Sequence, residues 1–230
     1  MKKTILVLGV FLLFSISASA INLSGKGFKI GPNFSKLSGD DFIISSNTDT
    51  YNYSWKFDMG YTAGFFLTFN ITDKFLFQPE LLYSYKKVKV EDIDSKLKMK
   101  YIEIPLLFKY AIHNEGKIRP NLFLGPYYSL KNKVRVVIDS ASYAFLLDDA
   151  VKGDYEDDIK NIRRSDFGFI FGAGMDYVTN YGTFTLDIRY SMGFTSIAKE
   201  IENGWNFVDE NNESLDLKNN NMYFLLGYSF

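Results

Sequence analysis

The sequence has no cysteine, one histidine and five prolines among its 230 residues. Without cysteine it can form no disulfide, thiolate metal site or cysteine nucleophile. Its formal net charge is −1, which is too small to attract nucleic acid or anionic lipid. After position 20 no run of about 18 consecutive apolar residues occurs, so no transmembrane helix is predicted there.

Aromatic residues are abundant instead. There are 22 Phe and 16 Tyr, and aromatic residues make up 17% of the chain. This bias favours β-strands and membrane interfaces over helices and disorder.

The first twenty residues have the pattern of a secretory signal peptide. Lys2 and Lys3 give a positive start, residues 5–14 are apolar, and Ala18 to Ala20 form a small-x-small cleavage site. We expect cleavage after Ala20, which leaves one barrel domain over residues 21–230.

Eight later segments alternate apolar and polar residues with a period of two, the pattern of a strand with two unlike faces. In residues 181–194, Leu186 and Ile188 alternate with Asp187 and Arg189. The eight segments lie near residues 27–37, 57–69, 74–88, 98–111, 118–131, 165–178, 181–194 and 220–230.

Alternation alone does not say which face is inside, because a soluble barrel and a membrane barrel share it. In the soluble case the polar faces would meet water, where strand-weakening glycines such as Gly168 and Gly172 serve no purpose. A narrow lumen does need small residues. The apolar faces run for about ten residues per strand, which at about 3.3 Å per residue covers the ~25 Å apolar band of a membrane barrel.

Aromatic residues also gather at both ends of the segments, as in interfacial girdles. They are Phe69, Phe75, Tyr110, Tyr177 and Phe230 at one end, and Tyr61, Tyr85, Phe167 and Phe194 at the other.

The connections between segments are predicted to alternate in length. The tight ones are residues 70–73, 113–116 and 179–182; the longer ones are 38–56, 89–97, 132–164 and 196–219. Short periplasmic turns and long outer loops are typical of outer-membrane barrels. The predicted fold is all-β: an eight-stranded antiparallel up-and-down transmembrane β-barrel in a bacterial outer membrane.

Charged residues on the polar faces are then candidates for a lumen network. They are Lys29, Asp58, Glu80, Glu103, Lys109, Arg119, Asp166, Asp176, Asp187 and Arg189. One interpretation is a charged pore or gate, and the other is a plug of interior ion pairs. Because eight strands leave room for side chains but hardly for a channel, the plug is favoured.

The C-terminal segment ends on an aromatic residue. Phe224, Leu226, Tyr228 and Phe230 occupy alternate positions, which resembles the signal that hands outer-membrane proteins to the barrel-assembly machinery. That machinery is therefore an expected partner during biogenesis.

Five stretches together resemble the PorT-type outer-membrane β-barrel family of Bacteroidetes, whose members are OmpA/OmpX-like barrels. They are GFKIGPNFSKLSG (27–39), PELLYSYK (79–86), YIEIPLLFKY (101–110), NLFLGPYYSL (121–130) and FGFIFGAGMDY (167–177). The resemblance implies an eight-stranded barrel in the cell envelope. The founding members are linked to a protein-secretion apparatus, which makes such a role an alternative here.

No catalytic set or cofactor motif emerges, so we expect neither enzyme activity nor a cofactor. The single histidine, His113, falls in a predicted periplasmic turn. The acidic segment 148–160 raises the possibility of Ca²⁺ binding but lacks EF-hand spacing, and no metal site is predicted.

We expect a monomeric outer-membrane protein with a structural or loop-mediated binding role. The polar segments 45–55 and 208–221 are the candidate contact surfaces for an extracellular ligand or another envelope protein. A small porin or solute-binding barrel is an alternative. Outer-membrane lipid is an expected partner, and nucleic acid is not.

Overall fold

The computed structural model describes residues 22–39, 42–45, 50–53, 55–90, 95–113, 115–138, 155–158, 165–196 and 216–230. The predicted signal peptide (1–20) and most of the acidic segment 148–160 lie outside these residues. Within the described ranges, no helix is long and apolar enough to cross a membrane.

Eight long antiparallel strands form one closed sheet, which confirms the predicted fold. They are β1 (Asn22–Gly39), β4 (Trp55–Asn70), β5 (Phe75–Val90), β6 (Ser95–Ala111), β7 (Ile118–Ile138), β9 (Ser165–Val178), β10 (Thr183–Gly193) and β11 (Leu217–Ser229). Each strand pairs with the next barrel strand along the chain, β1 pairs with β11, and the ring is complete.

In the part of the chain that the structure describes, three short strands lie outside this ring. β2 (Phe42–Ser45) and β3 (Thr50–Tyr53) pair as a hairpin between β1 and β4. β8 (Tyr155–Asp158) pairs with the far end of β7. All three belong to the end of the barrel opposite the two termini.

The two faces of each strand are distributed as in a membrane barrel. On β10, Leu186 and Ile188 are 38% and 49% exposed, whereas Asp187 and Arg189 are 0% and 2% exposed. β1 repeats the pattern, with Phe28 exposed and Lys29 buried. Large apolar side chains therefore cover the outside, and charged side chains lie inside.

Outward aromatic side chains from neighbouring strands contact one another near the ends of this apolar surface. Phe75 and Tyr110 have ring centroids 5.1 Å apart at the terminal end. Tyr61 and Tyr85, 5.2 Å apart, lie towards the opposite end. Such rings, with an apolar body and for tyrosine a polar tip, suit the boundary between hydrocarbon and headgroups.

The prediction of a long connection over residues 89–97 is wrong. β5 continues to Val90 and β6 begins at Ser95, so only residues 91–94 join the strands. The apolar–polar pattern reverses its phase here: Val88, Leu97 and Met99 are buried, and the lysines between them point outward. The two strands thus continue past the apolar band as ordinary water-facing strands.

The other connections differ in length between the two ends of the barrel, as predicted. The turns 71–74, 112–117 and 179–182 lie at the terminal end, and the chain between β7 and β9 and between β10 and β11 is much longer. In one of the turns Gly116 has a φ of 80°, a conformation that glycine adopts without strain.

Replacing Ile188 by arginine tests the orientation of the faces. Ile188 points outward near the middle of β10, where a charge facing lipid costs roughly 2–4 kcal/mol in barrels of this kind. We expect Ile188→Arg to lower the free energy of unfolding in phosphatidylcholine vesicles by about this amount, measured by urea titration and gel mobility. Ile188→Leu is the control, and an Ile188→Arg barrel as stable as Ile188→Leu would contradict the orientation.

Candidate functional site

Four charged side chains meet at the centre of the barrel and form what we call the lumen quartet: Lys29, Glu80, Asp187 and Arg189. Lys29 Nζ lies 2.9 Å from Glu80 Oε1 and 2.5 Å from Asp187 Oδ2. Arg189 Nη1 donates to Glu80 Oε2 at 2.6 Å, and its Nη2 donates to Asp187 Oδ2 at 2.6 Å. The two cations and two anions balance, and they join β1, β5 and β10 across the lumen.

Aromatic rings enclose this quartet. Lys29 Nζ lies 4.7 Å from the ring centre of Phe66, and the Arg189 guanidinium carbon lies 5.3 Å from that of Phe123. Gln78 adds a 2.6 Å hydrogen bond from its Nε2 to Glu80 Oε1. Because water is excluded, each charge depends on its partners rather than on solvent.

A second ion pair lies further from the termini. Lys86 Nζ is 2.5 Å from Glu103 Oε1, and Ser84 Oγ donates to Glu103 Oε2 at 2.6 Å. The Tyr223 hydroxyl donates to Glu103 from β11 at 3.2 Å. This cluster links β5, β6 and β11, so it also crosses the lumen.

Lys86 is absent from the predicted network. Its position follows Glu80 and Ser84 on the inward face of β5, so the period of two would have found it. The three lysines and two valines at 86–90 obscure this alternation, because the outward face there is charged too.

Asp166 is held by hydrogen bonds near the end of the lumen opposite the termini. It accepts hydrogen bonds from the Tyr127 hydroxyl at 3.2 Å and from Thr195 Oγ1 at 2.8 Å. The Thr195 hydroxyl lies just beyond β10 and ties this strand end to β9.

A cavity of about 210 Å³ occupies the terminal end of the lumen. Lys109 Nζ lies 3.7 Å from Asp176 Oδ2, which also accepts a 3.0 Å hydrogen bond from Asn121. Asn121 Oδ1, Asp176 Oδ1 and Thr185 Oγ1 are buried here without a hydrogen-bond partner among the described residues. Their free lone pairs make the cavity polar.

The lumen also contains large apolar side chains that the strand patterns did not assign. Leu107, Phe123, Tyr127 and Ile170 form one buried cluster on β6, β7 and β9. Gly172 lies opposite Phe123 in register, and a Cβ there would come within 2.7 Å of the phenyl ring. The inward glycine therefore leaves the space that this ring fills.

Two residues of the predicted network hydrogen-bond to backbone groups close to them in the chain. Asp58 is half-exposed, and its Oδ1 accepts the Met59 N–H at 2.7 Å. Arg119 lines the mouth of the terminal cavity, and its Nε donates to the Gly116 carbonyl in the turn at 3.2 Å. The structure places the remaining eight in the lumen: Lys29, Glu80, Glu103, Lys109, Asp166, Asp176, Asp187 and Arg189.

The predicted C-terminal signal residues lie on the outer surface of β11. Phe224 contacts Phe34 at 6.0 Å between ring centroids, and Tyr228 contacts Phe184 at 5.1 Å. Phe230 pairs with β1 through its backbone, with a 2.9 Å bond from its N–H to the Lys26 carbonyl. His113 is exposed in the β6–β7 connection.

Removing one charge from the lumen quartet should be worse than removing a balanced pair. Arg189→Gln leaves two carboxylates with one cation, and breaking such a buried pair costs roughly 3–5 kcal/mol. The double variant Arg189→Gln/Glu80→Gln restores neutrality, and we expect it to recover much of the lost stability. Urea unfolding in vesicles measures both, and a single variant as stable as the unchanged protein would contradict the coupling.

A family model matches most of this chain. Residues 18–199 match the family model described as outer membrane protein beta-barrel domain. No protein of curated function matches the sequence.

Solved structures with similar folds include three outer-membrane proteins. Ail of Yersinia pestis, in complex with the heparin analogue sucrose octasulfate, is 14% identical with a TM-score of 0.41, over 90% of this chain and 98% of that one. Neisserial surface protein A is 15% identical (TM-score 0.43, 91% and 99%). OprG of Pseudomonas aeruginosa is 16% identical (TM-score 0.44, 91% and 97%). On the family match, this chain belongs to the outer membrane protein beta-barrel domain family and resides in the bacterial outer membrane.

Proposed function

We propose that this protein is a scaffold of the outer membrane that does not conduct, and that its long connections bind ligands at the cell surface. The lumen quartet carries the first part of the proposal. It joins three strands across the barrel, and Phe66 and Phe123 pack against it. A lumen occupied in this way is a plug, as expected for a barrel of eight strands.

The second part rests on how the chain is distributed between the two ends. At the terminal end the strands are joined by residues 71–74, 112–117 and 179–182. At the other end residues 139–164 and 194–216 lie between successive barrel strands. Long polar connections on a rigid scaffold are where binding function is usually found.

A solute-binding role is the second candidate, and the cavity at the terminal end supports it. Its buried, unpartnered oxygens on Asn121, Asp176 and Thr185 suit water or a small polar solute. The lumen quartet lies between this cavity and the far end, so the cavity would hold a solute rather than pass it.

Planar-bilayer recording tests the plug. We expect the full barrel to insert without a steady current, because the lumen quartet and its rings fill the cross-section. Arg189→Gln is recorded alongside. A steady current in the unchanged protein that disappears in Arg189→Gln would refute the plug and favour the porin alternative.

Binding by the connections is tested with an array of glycans and extracellular-matrix proteins. We compare the detergent-solubilised barrel with a variant whose residues 198–214 are replaced by a short Gly-Ser link. We expect binding to at least one arrayed component, lost in the variant, while gel mobility shows that both barrels are folded. No binding by the intact barrel, together with co-purification of secretion proteins from outer membranes, would favour the secretion alternative instead.

A further inference from the structure

All five prolines of the chain lie in strands of the barrel. They are Pro32 on β1, Pro79 on β5, Pro105 on β6, and Pro120 and Pro126 on β7. Proline has no backbone N–H to donate to a neighbouring strand, so within sheets it is normally confined to edges, strand starts and bulges. A closed barrel has no edge strand. Within hydrocarbon, moreover, water cannot replace the missing donor.

Four of the prolines coincide with interruptions of strand pairing. Between β4 and β5 the pairing skips Gln78 and Pro79 and resumes at Phe77. Gaps of the same length occur at Pro105 between β5 and β6, at Pro126 between β6 and β7, and at Pro32 between β1 and β11. The missing N–H groups account for these gaps, because each gap includes one proline.

The gaps are concentrated on one side of the barrel. The three consecutive strand pairs β4–β5, β5–β6 and β6–β7 are interrupted. The pairs β7–β9, β9–β10 and β10–β11 continue without a gap over their paired lengths. We call the four strands β4, β5, β6 and β7 the interrupted wall. Its gaps lie within the apolar band, since the outward neighbours Leu67 and Leu81 are exposed there.

The terminal cavity lies directly behind the β4–β5 gap. Thr68 and Gln78 are the inward residues of this gap, and both line the cavity. A long side-chain hydrogen bond of 3.4 Å, from Thr68 Oγ1 to Gln78 Oε1, crosses the gap on the inside. On the outside Leu67 and Pro79 face the lipid. At this point a single interrupted sheet therefore separates the cavity from hydrocarbon.

We propose that the interrupted wall yields at the β4–β5 gap and opens the terminal cavity sideways into the membrane. Separating strands where a ladder bond is already missing costs less than separating them where every bond is formed. Molecules that arrive through lipid are uncharged, because charge is expensive to transfer into hydrocarbon. Apolar side chains of Phe66, Leu76 and Val178 line the cavity together with the polar Asn121, so a small amphipathic molecule matches it.

The lumen quartet closes the way from this cavity to the far end of the barrel. Exchange through the gap would therefore connect the cavity with the membrane and leave the plug intact. The occupancy of the cavity rests on the solute-binding candidate proposed above, whereas the yielding of the wall does not.

Hydrogen exchange of the full barrel in phosphatidylcholine vesicles tests whether the wall yields. We expect amides of residues 66–69 to exchange at least about ten-fold faster than those of residues 185–189 on β10, whose pairing is continuous. Pro79→Ala restores the missing N–H and should remove most of this difference. Pro120→Ala is the matched control, because Pro120 is paired with Met175 and lies beside no gap.

Single cysteines test the opening towards lipid, because the chain has no cysteine of its own. Thr68→Cys places a thiol on the cavity side of the gap. One probe is a phospholipid with a maleimide at the end of an acyl chain, and the other is a small water-soluble maleimide. If Thr68→Cys does not fold, Thr185→Cys on the opposite side of the same cavity replaces it.

We expect the lipid-borne maleimide to label Thr68→Cys. Adding Pro79→Ala to the same chain should slow that labelling at least about ten-fold and leave the labelling from water unchanged. Adding Pro120→Ala should change neither rate.

Three results would overturn the proposal. Exchange of residues 66–69 as slow as that of β10 would show that the wall does not yield. Lipid-borne labelling that Pro79→Ala leaves unchanged would show that the β4–β5 gap is not the opening. Labelling from water alone would remove the sideways opening and keep the solute-binding candidate, whereas labelling from neither side would remove both.

Discussion

The structure depends on one constraint: backbone N–H and C=O groups inside hydrocarbon must all be paired within the protein. A sheet meets this constraint only when it has no free edge, and the pairing of β6 with β7 and of β1 with β11 removes both edges. Once the ring is closed, one face of every strand meets lipid and the other meets a narrow interior. Leu186 therefore points outward to the lipid, and Asp187 points into the interior.

Closure also makes the interior a place where charge must balance. Replacing buried ion pairs by well-packed apolar residues is often neutral or stabilising, so the lumen quartet is not explained by stability alone. Its geometry does fix which strands face each other, because Glu80 contacts partners on β1 and β10. The phenyl rings of Phe66 and Phe123 then leave little room for water.

Much of this fold could be predicted from alternation. The inward orientation of the charged face of β10 could be predicted because Arg189 and Asp187 alternate with apolar residues, and the polar faces of the other segments are rich in glycine and serine. Alternation failed where its phase changes: Val88 and Leu97 are buried beyond the apolar band, so β5 and β6 run further than their lipid-facing residues indicate. Alternation places Phe123 on the same face as Asn121 and Gly125, but the space that its ring fills depends on Gly172 across the strand pair, which no single strand shows.

The sequence also did not predict which charged residues would meet in the lumen. The neighbouring sequence does not distinguish Asp58 from Glu80. In the structure Asp58 is half-exposed beside a register shift in β4, whereas Glu80 lies at the centre of the barrel. The difference arises from depth along the strand and from how eight strands are staggered, and both are properties of the closed ring.

The order of the quartet along the chain has a consequence for how the barrel is put together. Lys29 and Glu80 come from the first strands, and Asp187 and Arg189 come from a single late strand. Each half is electrically neutral before the halves meet. The two parts of the quartet therefore bring no net charge to the interior, whichever of them is considered first.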